Sequence, residues 1–243
     1  LPIRPLIIGG DDVTILTHCS YAMLFARKVI ETFNHISKCF DCCQFWSATG
    51  GELSISAGIL YAPVNLPLSS AISYAETLLA SAKSKGRRLR TNAKGQPSPA
   101  CLDWESVTDG LLDSVHDRRQ RELLFIDKAC NRTIELTKRP YTMKELGDLD
   151  KLRDKLEGIP ASIRYEVLPS LRATLDDRLA YYARIRKSHP ELAGLLQEPW
   201  QANGGRYGDG WAMEEGDRQT TGVIDALLCL EEENRMSKEK QTV

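Results

Sequence analysis

The feature that most constrains this chain is the run Gly9-Gly10-Asp11-Asp12, which lies between two short apolar stretches. Residues 5–8 and 13–17 are rich in β-branched and other apolar side chains, a composition typical of strands. Two glycines followed by an aspartate between such runs indicate the tight turn of a β-hairpin. The sequence therefore predicts a hairpin that carries two adjacent carboxylates at its end.

This turn is a candidate metal site. Two like charges side by side are unfavourable unless a cation neutralises them. Carboxylate oxygens suit Mg²⁺ or Mn²⁺, and these ions usually act on phosphates. The alternative is a solvated turn, because Gly and Asp are ordinary turn residues. The four residues alone do not decide between a metal site and a solvated turn. The motifs in the rest of the chain are needed for that choice.

Composition narrows the class of protein. The chain has 243 residues and a formal net charge of -1, so any contact with a polyanion must be local. The sequence contains no apolar run of about 18 residues that could cross a membrane, and it does not open with the pattern of a secretory signal. Seven cysteines, an odd number, favour a reducing setting. We therefore predict a cytoplasmic protein with no membrane partner.

The hairpin is followed by a pattern of alternating helix and strand. Helical periodicity runs from Cys19 to about Lys38 and again from Leu68 to about Lys85, with Gly86 predicted to end the second helix. Between them, residues 53–61 have the pattern of a largely buried strand. Residues 5–86 therefore follow the order β-β-α-β-α, which predicts an α+β layer with helices packed on a sheet.

The end of the second helix is strongly basic. Cations near a helix C-terminus complement its dipole, but that role accounts for only some of them. The group comprises Lys83, Lys85, Arg87, Arg88, Arg90 and Lys94.

Beyond residue 100 the composition changes. Residues 118–196 are charged and mostly helical in pattern, and Thr142 with Glu145 three residues later is a capping box that predicts a helix start. We divide the chain into residues 1–100, which contain the α+β layer, and residues 101–243, a mainly α-helical domain with a charged tail.

The order of motifs resembles the palm domain shared by nucleotidyl cyclases and polymerases. The stretch Ser54-Ile55-Ser56-Ala57-Gly58-Ile59 and the helix that ends Ala82-Lys83-Ser84-Lys85-Gly86-Arg87 resemble those of diguanylate cyclases. The Gly-Gly-Asp-Asp turn, the helix 75–87, Cys101-Leu102-Asp103-Trp104 and Arg139-Pro140-Tyr141-Thr142 are more similar to the second palm and following helical region of the large, polymerase-like subunit of type III CRISPR effector complexes.

The resemblance implies a specific activity. That palm converts ATP into cyclic oligoadenylates when the complex holds guide and target RNA, by nucleotidyl transfer with Mg²⁺ or Mn²⁺. It implies that Asp11 bridges the metals and that Asp12 is a second ligand or orients the first. Gly9 and Gly10 would let the nucleotide approach the backbone. Lys83 and Arg87, four residues apart, would hold phosphates, whereas Lys85 and Arg88 are interpreted as solvated charge.

The sequence departs from the family in one respect. The palm also has a first strand and helix before the hairpin, and that strand carries another aspartate. Nothing before Leu1 supplies them, so we predict a ferredoxin-like palm that lacks its first strand and has an incomplete metal site. The expected explanations are a fragment, a truncated product, or a subunit whose missing strand comes from another chain.

Two other functions stay open. The chain could be a catalytically incomplete scaffold or nucleotide-binding subunit of the effector complex, or an enzyme that uses GTP, as diguanylate cyclases do.

Other motifs carry weaker signals. Cys39, Cys42 and Cys43, with His35 nearby, could bind zinc, although a loop with free thiols is favoured. The pair His116-Asp117 is interpreted as a chance match to a phosphohydrolase dyad. Tryptophans are expected in the core rather than as platforms for bases; they are Trp104, Trp200 and Trp211.

Overall fold

A computed structural model of the chain describes residues 3–39, 53–92, 98–107, 113–127, 132–193, 212–213 and 218–230. The chain forms two compact units. Unit 1 comprises Leu1–Val115 and Arg139–Leu146, and unit 2 comprises His116–Lys138 and Gly147–Val243. No helix in these described ranges is long and apolar enough to cross a membrane.

Unit 1 begins with the predicted hairpin. Strands β1 (Ile3–Gly9) and β2 (Asp12–Thr17) pair antiparallel, with Gly9 opposite Asp12. Gly10 takes a φ of 61°, a left-handed conformation that glycine adopts without the steric cost a side chain would add. The hairpin predicted from the turn residues is therefore confirmed.

The predicted order β-β-α-β-α is confirmed. After the hairpin come α1 (Cys19–Cys39), β3 (Ala57–Tyr61) and α2 (Leu68–Asn92). Two later strands, β4 (Cys101–Ser106) and β7 (Tyr141–Thr142), join β3 in a sheet of order β3-β4-β7. Strand β4 runs parallel to β3 and antiparallel to β7.

Helix α2 packs very closely on β3 at Gly58. A Cβ on Gly58 would lie 2.5 Å from both the Ala75 carbonyl oxygen and the Leu79 nitrogen. The apolar cluster beside this contact contains Tyr74, Leu78, Val107 and Val115, with Leu60 against it. The glycine in the Ser-x-Gly stretch is therefore explained by the backbone of the helix that lies against it.

The predicted end of α2 at Gly86 is wrong, because the helix continues to Asn92. Gly86 is buried inside the helix, and a Cβ there would lie 2.9 Å from the Pro99 oxygen and the Ser98 Oγ. The residue is a packing glycine and not a C-terminal cap.

Unit 2 contains strands that the sequence analysis missed. These strands are β5 (Leu124–Asp127), β6 (Arg132–Glu135), β8 (Ala212–Met213) and β9 (Arg218–Thr220). They form a sheet of order β5-β6-β9-β8, in which β6 runs parallel to β9. Strands this short carry too few residues for an alternating pattern to stand out.

Helices make up most of the remaining described chain. They are α3 (Val115–Leu123), α4 (Met143–Glu157), α5 (Ala161–Arg172) and α6 (Leu175–Ser188), with helical residues at 190–193 and 223–230. The fully buried Asp225 accepts hydrogen bonds from the Thr137 Oγ1 and the Lys138 N–H, both at 2.8 Å. This carboxylate ties the segment after β6 to the last described helix within unit 2.

We expect Gly58→Ala to lower the free energy of unfolding by about 1–3 kcal/mol, because the added methyl group has to displace helix backbone. The control is Gly147→Ala, since a Cβ at that helical position meets nothing within 4 Å in the described part of the chain, and the change should stabilise the helix by about 0.5–1 kcal/mol. Urea unfolding of both variants measures the difference. A Gly58→Ala protein as stable as the wild type would contradict the close approach of α2 to β3.

Candidate functional site

The hairpin turn brings four predicted site residues together. Gly10 and Asp11 form the turn itself, and Gly9 and Asp12 are the paired residues on either side of it. All four residues are exposed. The two carboxylates are therefore held next to one another at the solvent-facing end of two strands.

The backbone of this turn is open. A Cβ built on Gly9 or Gly10 would meet no other atom of the described residues within 4 Å. Packing within the protein thus does not require a glycine at Gly9, in contrast to Gly58. A flat ligand such as a nucleotide could approach the peptide groups here without steric hindrance.

The donor set at the turn fits a magnesium or manganese ion in part. Mg²⁺ is commonly held by one or two carboxylates while substrate phosphates and water supply its other ligands. Asp11 and Asp12 provide such a pair, and no group of three His, Cys, Asp or Glu side chains that could hold a metal occurs among the described residues. A metal at the turn would therefore take its other ligands from a nucleotide, from water or from residues outside the described ranges.

The predicted phosphate-binding residues lie on another element. Lys83 and Arg87 are exposed on neighbouring turns of α2. Helix α2 packs against β3 and β4, whereas β1 and β2 pair with each other. The structure therefore groups the acidic residues in one place and the basic residues in another, on separate elements of unit 1.

Lys85 is not solvated surface charge, and the prediction for it was wrong. Its side chain is 11% exposed, and its Nζ donates hydrogen bonds to the Pro140 oxygen at 2.6 Å and to the Glu145 Oε2 at 2.7 Å. The sequence held the signal, because Lys85 follows the buried Leu78 and Ala82 at helical spacing. Arg88 is exposed, as predicted.

The Arg-Pro-Tyr-Thr segment is anchored on β4. The buried Arg139 donates from Nη1 to the Trp104 carbonyl oxygen at 2.8 Å and to the Glu105 Oε1 at 3.1 Å. The Tyr141 ring stacks on Trp104 with centroids 5.4 Å apart. Trp104 is 4% exposed, which confirms that it is a core residue.

The predicted capping box at the start of α4 is confirmed. The Thr142 N–H donates to the Glu145 Oε2 at 2.7 Å, and the Glu145 N–H donates to the Thr142 Oγ1 at 3.2 Å. Burial on its own would raise the pKa of Glu145, but the hydrogen bonds from Lys85 and Thr142 outweigh it and hold that pKa below 4.5. Glu145 is therefore held as a carboxylate.

Burial has the opposite effect on a neighbouring thiol. Cys101 is fully buried on β4, and this desolvation raises its pKa to about 11 although Lys85 acts against it. Cys101 is thus a neutral core thiol and not a nucleophile.

The weaker motifs gain no support. Cys42 and Cys43, like Trp200 and Trp211, lie outside the described residues, so the zinc hypothesis stays a prediction. His116 and Asp117 are exposed in the first turn of α3.

The fold of unit 1 and its acidic turn together indicate a class of domain. An acidic hairpin turn, a helix, a strand and a second helix packed on that strand form the arrangement that the palm of nucleotidyl cyclases and polymerases leads one to expect. Residues 3–91 match the family model described as Cas10/Cmr2, second palm domain. The matched segment contains the hairpin, α1, β3 and nearly all of α2, and it supports the resemblance to the large subunit of type III CRISPR effector complexes. No curated protein matches the chain.

We expect Glu145→Gln to destabilise the protein at neutral pH and to have progressively less effect in acid. Because the pKa of Glu145 is lowered on folding, its contribution to stability is present above the ordinary value of 4.5 and is lost as the pH falls through the folded-state pKa. Urea unfolding between pH 3 and 7, roughly the span on either side of that ordinary value, measures the difference from wild type. Glu157→Gln is the control, since it removes an exposed carboxylate from the far end of the same helix. A difference for Glu145→Gln that stays constant across this range would contradict the ion pair with Lys85.

Proposed function

We propose that this chain contributes the second palm of a type III CRISPR effector, where it synthesises cyclic oligoadenylates from ATP in the cytoplasm. The observation that carries the proposal is the exposed Gly9-Gly10-Asp11-Asp12 turn within a segment that matches the Cas10/Cmr2 second palm. The other effector subunits and the guide and target RNA are the expected partners.

Asp11 and Asp12 would hold Mg²⁺ or Mn²⁺ at the turn. The ions, when bound, assist attack by a ribose 3′-hydroxyl and neutralise charge on the triphosphate. The two carboxylates would set the position of that positive charge at the end of the hairpin. The open backbone at Gly9 and Gly10 admits the nucleotide.

Lys83 and Arg87 would bind phosphate oxygens. Both side chains are exposed one helical turn apart, so both could contact a single polyphosphate. Their positive charge would stabilise the triphosphate and the leaving pyrophosphate, while the turn holds the reacting end.

We further propose that the fold is a ferredoxin-like palm that is completed by one more strand, which pairs between β2 and β3. In the described part of the chain the hairpin is a separate sheet, and β3 is one of the two outer strands of the β3-β4-β7 sheet. An outer strand leaves backbone N–H and C=O groups without strand partners, which favours the addition of a strand.

The hairpin side chains support this completion. Apolar residues are exposed on both faces of the hairpin, with the pair Ile8 and Val13 on one face and Ile7 and Leu16 on the other. Strands that are apolar on both faces are typical of sheets covered on both sides. A strand added beside β2, with its helix packed on the sheet, would cover one of these two faces. By the resemblance, it would also bring the third carboxylate to the turn.

A second candidate is a scaffold subunit without catalysis. The observation in its favour is that the described residues provide two carboxylates at the turn and no group of three metal ligands. Turnover that depends on the turn separates this candidate from the enzyme.

We expect the double variant Asp11→Ala with Asp12→Ala to reduce product formation by at least about 100-fold in the assembled complex with target RNA, because the charge that holds the metal is gone. The assay incubates ATP or GTP with Mn²⁺ and identifies products by mass spectrometry. Stability should be unchanged, since both residues are exposed on the turn. The matched control removes two exposed aspartates from α4, Asp148→Ala with Asp154→Ala.

The outcomes separate the candidates. Cyclic adenylates that vanish only in the turn variant support the proposal, and product from GTP instead of ATP would point to the diguanylate-cyclase-like alternative. A turn variant that still cyclises ATP would refute the assigned site. No product from the wild-type complex would favour the scaffold.

We expect backbone amides of β2 and β3 to exchange more slowly with deuterium in the assembled complex than in the isolated chain, because both edges become paired. Amides of the parallel pair β3 and β4 that already bond to each other serve as the internal reference. Equal exchange rates in both states at the two edges would rule out the added strand.

A further inference from the structure

We propose that Lys85 is a positioning residue, which orients Lys83 and Arg87 toward bound triphosphate without touching the phosphates itself. The contact partner is a strap formed by residues Arg139–Leu146, which the chain contributes to unit 1 after its first passage through unit 2. This inference rests on the proposed function, because it assumes that Lys83 and Arg87 bind the nucleotide.

The ammonium group of Lys85 is already engaged. Two of its three donors are taken by the Pro140 oxygen at 2.6 Å and the Glu145 Oε2 at 2.7 Å. The Tyr141 ring also lies below it, with its centroid 5.7 Å from Nζ. All three partners belong to the strap, so Lys85 fixes α2 to a single short segment.

Helical geometry turns this contact into an orientation. At 3.6 residues per turn, Lys83 and Arg87 lie roughly 40° apart around the axis, whereas Lys85 lies roughly 160° from each on the other side of the helix. Holding Lys85 inward therefore holds the other two side chains outward. Rotation of α2 about its axis would break the bonds of Lys85 and turn Lys83 and Arg87 away.

The helix end depends on this contact because it has little apolar anchorage. Upstream, Leu78 and Ala82 are fully buried. From residue 83 to residue 92 the only apolar side chain is Leu89, which is half-buried. The tight packing of Gly86 against Ser98 and Pro99 is a second fixed contact on the same end.

The strap is a rigid reference for the helix. Its Tyr141 and Thr142 pair with Leu102 and Cys101 on β4, and Arg139 is bonded to Trp104 and Glu105. Glu145 is fixed by the capping box with Thr142. A lysine bonded to such a segment is held to a defined place, which the flexible stem of a lysine otherwise does not provide.

The test is a double-mutant cycle in the assembled effector complex. The variants are Lys85→Met, Glu145→Gln and the pair together, with Arg88→Met as the control because Arg88 is an exposed cation at the same helix end. The KM for ATP, the kcat and the salt dependence of the KM are measured well below the unfolding temperature. Lys83→Ala provides the reference for loss of a direct phosphate contact.

Lys85→Met should raise the KM about tenfold with little change in kcat, and Glu145→Gln should shift it in the same direction. The double variant should be no worse than Lys85→Met, since the two residues act through one contact. Lys85→Arg should recover part of the loss. The salt dependence should stay that of the wild type in Lys85→Met and weaken in Lys83→Ala.

Three results would overturn the inference. A lower unfolding temperature with an unchanged KM would make Lys85 a structural residue only. Additive effects with a weakened salt dependence would mean that Lys85 binds phosphate directly. An equal rise in KM for Arg88→Met would mean that general positive charge, and not the strap, is responsible.

The same experiment distinguishes failure of the proposed function from failure of the positioning role of Lys85. If the wild-type complex binds ATP without turnover, the proposed reaction is wrong, and the same cycle is then measured on the dissociation constant for ATP. If the wild-type complex binds no ATP, the positioning role is refuted as well.

Discussion

The contact on which unit 1 depends is the packing of α2 against β3 at Gly58. Helix backbone lies so close to this residue that a single added carbon would collide with it. The same helix packs on β4, which continues the sheet to the strap strand β7. Helix α2 is thus held at its centre by apolar contacts and at its far end by Lys85 and Gly86. These two attachments determine the positions of the exposed Lys83 and Arg87.

The hairpin turn at Gly9–Asp12, in contrast to Gly58, is not explained by packing. Nothing in the described structure packs against Gly9 or Gly10, and Asp11 and Asp12 are exposed. The positive φ at position 10 explains why Gly10 is a glycine. The fold does not explain why position 9 is also a glycine or why two carboxylates follow. The proposal that the turn holds a cation and phosphate would account for these residues, because carboxylates suit Mg²⁺ or Mn²⁺ and an open backbone admits a ligand.

Local chemistry in the sequence predicted much of this arrangement. The hairpin follows from its turn residues, the start of α4 from the pair Thr142 and Glu145, and the buried Trp104 from its aromatic character. Each of these depends on residues close in sequence. Lys85 and Gly86 were misinterpreted because their partners lie on segments that follow the helix, at Ser98, Pro99, Pro140 and Glu145. Sequence spacing shows that a residue faces inward, but it does not name a partner from a distant segment.

The candidate metal site shows the same limit of sequence analysis more strongly. Two carboxylates can be placed at the turn from the sequence and are found there, yet the remaining ligands are not among the described residues. We proposed above that one more strand pairs between β2 and β3. The absence of that strand would explain both the exposed apolar side chains of the hairpin and the incomplete set of metal ligands. In the proposed palm, that strand and its helix would cover one of the two apolar faces and bring a further carboxylate to Asp11 and Asp12. In the proposed palm, catalysis would be coupled to completion of the sheet, and the turn alone would bind metal weakly because it offers two carboxylates only.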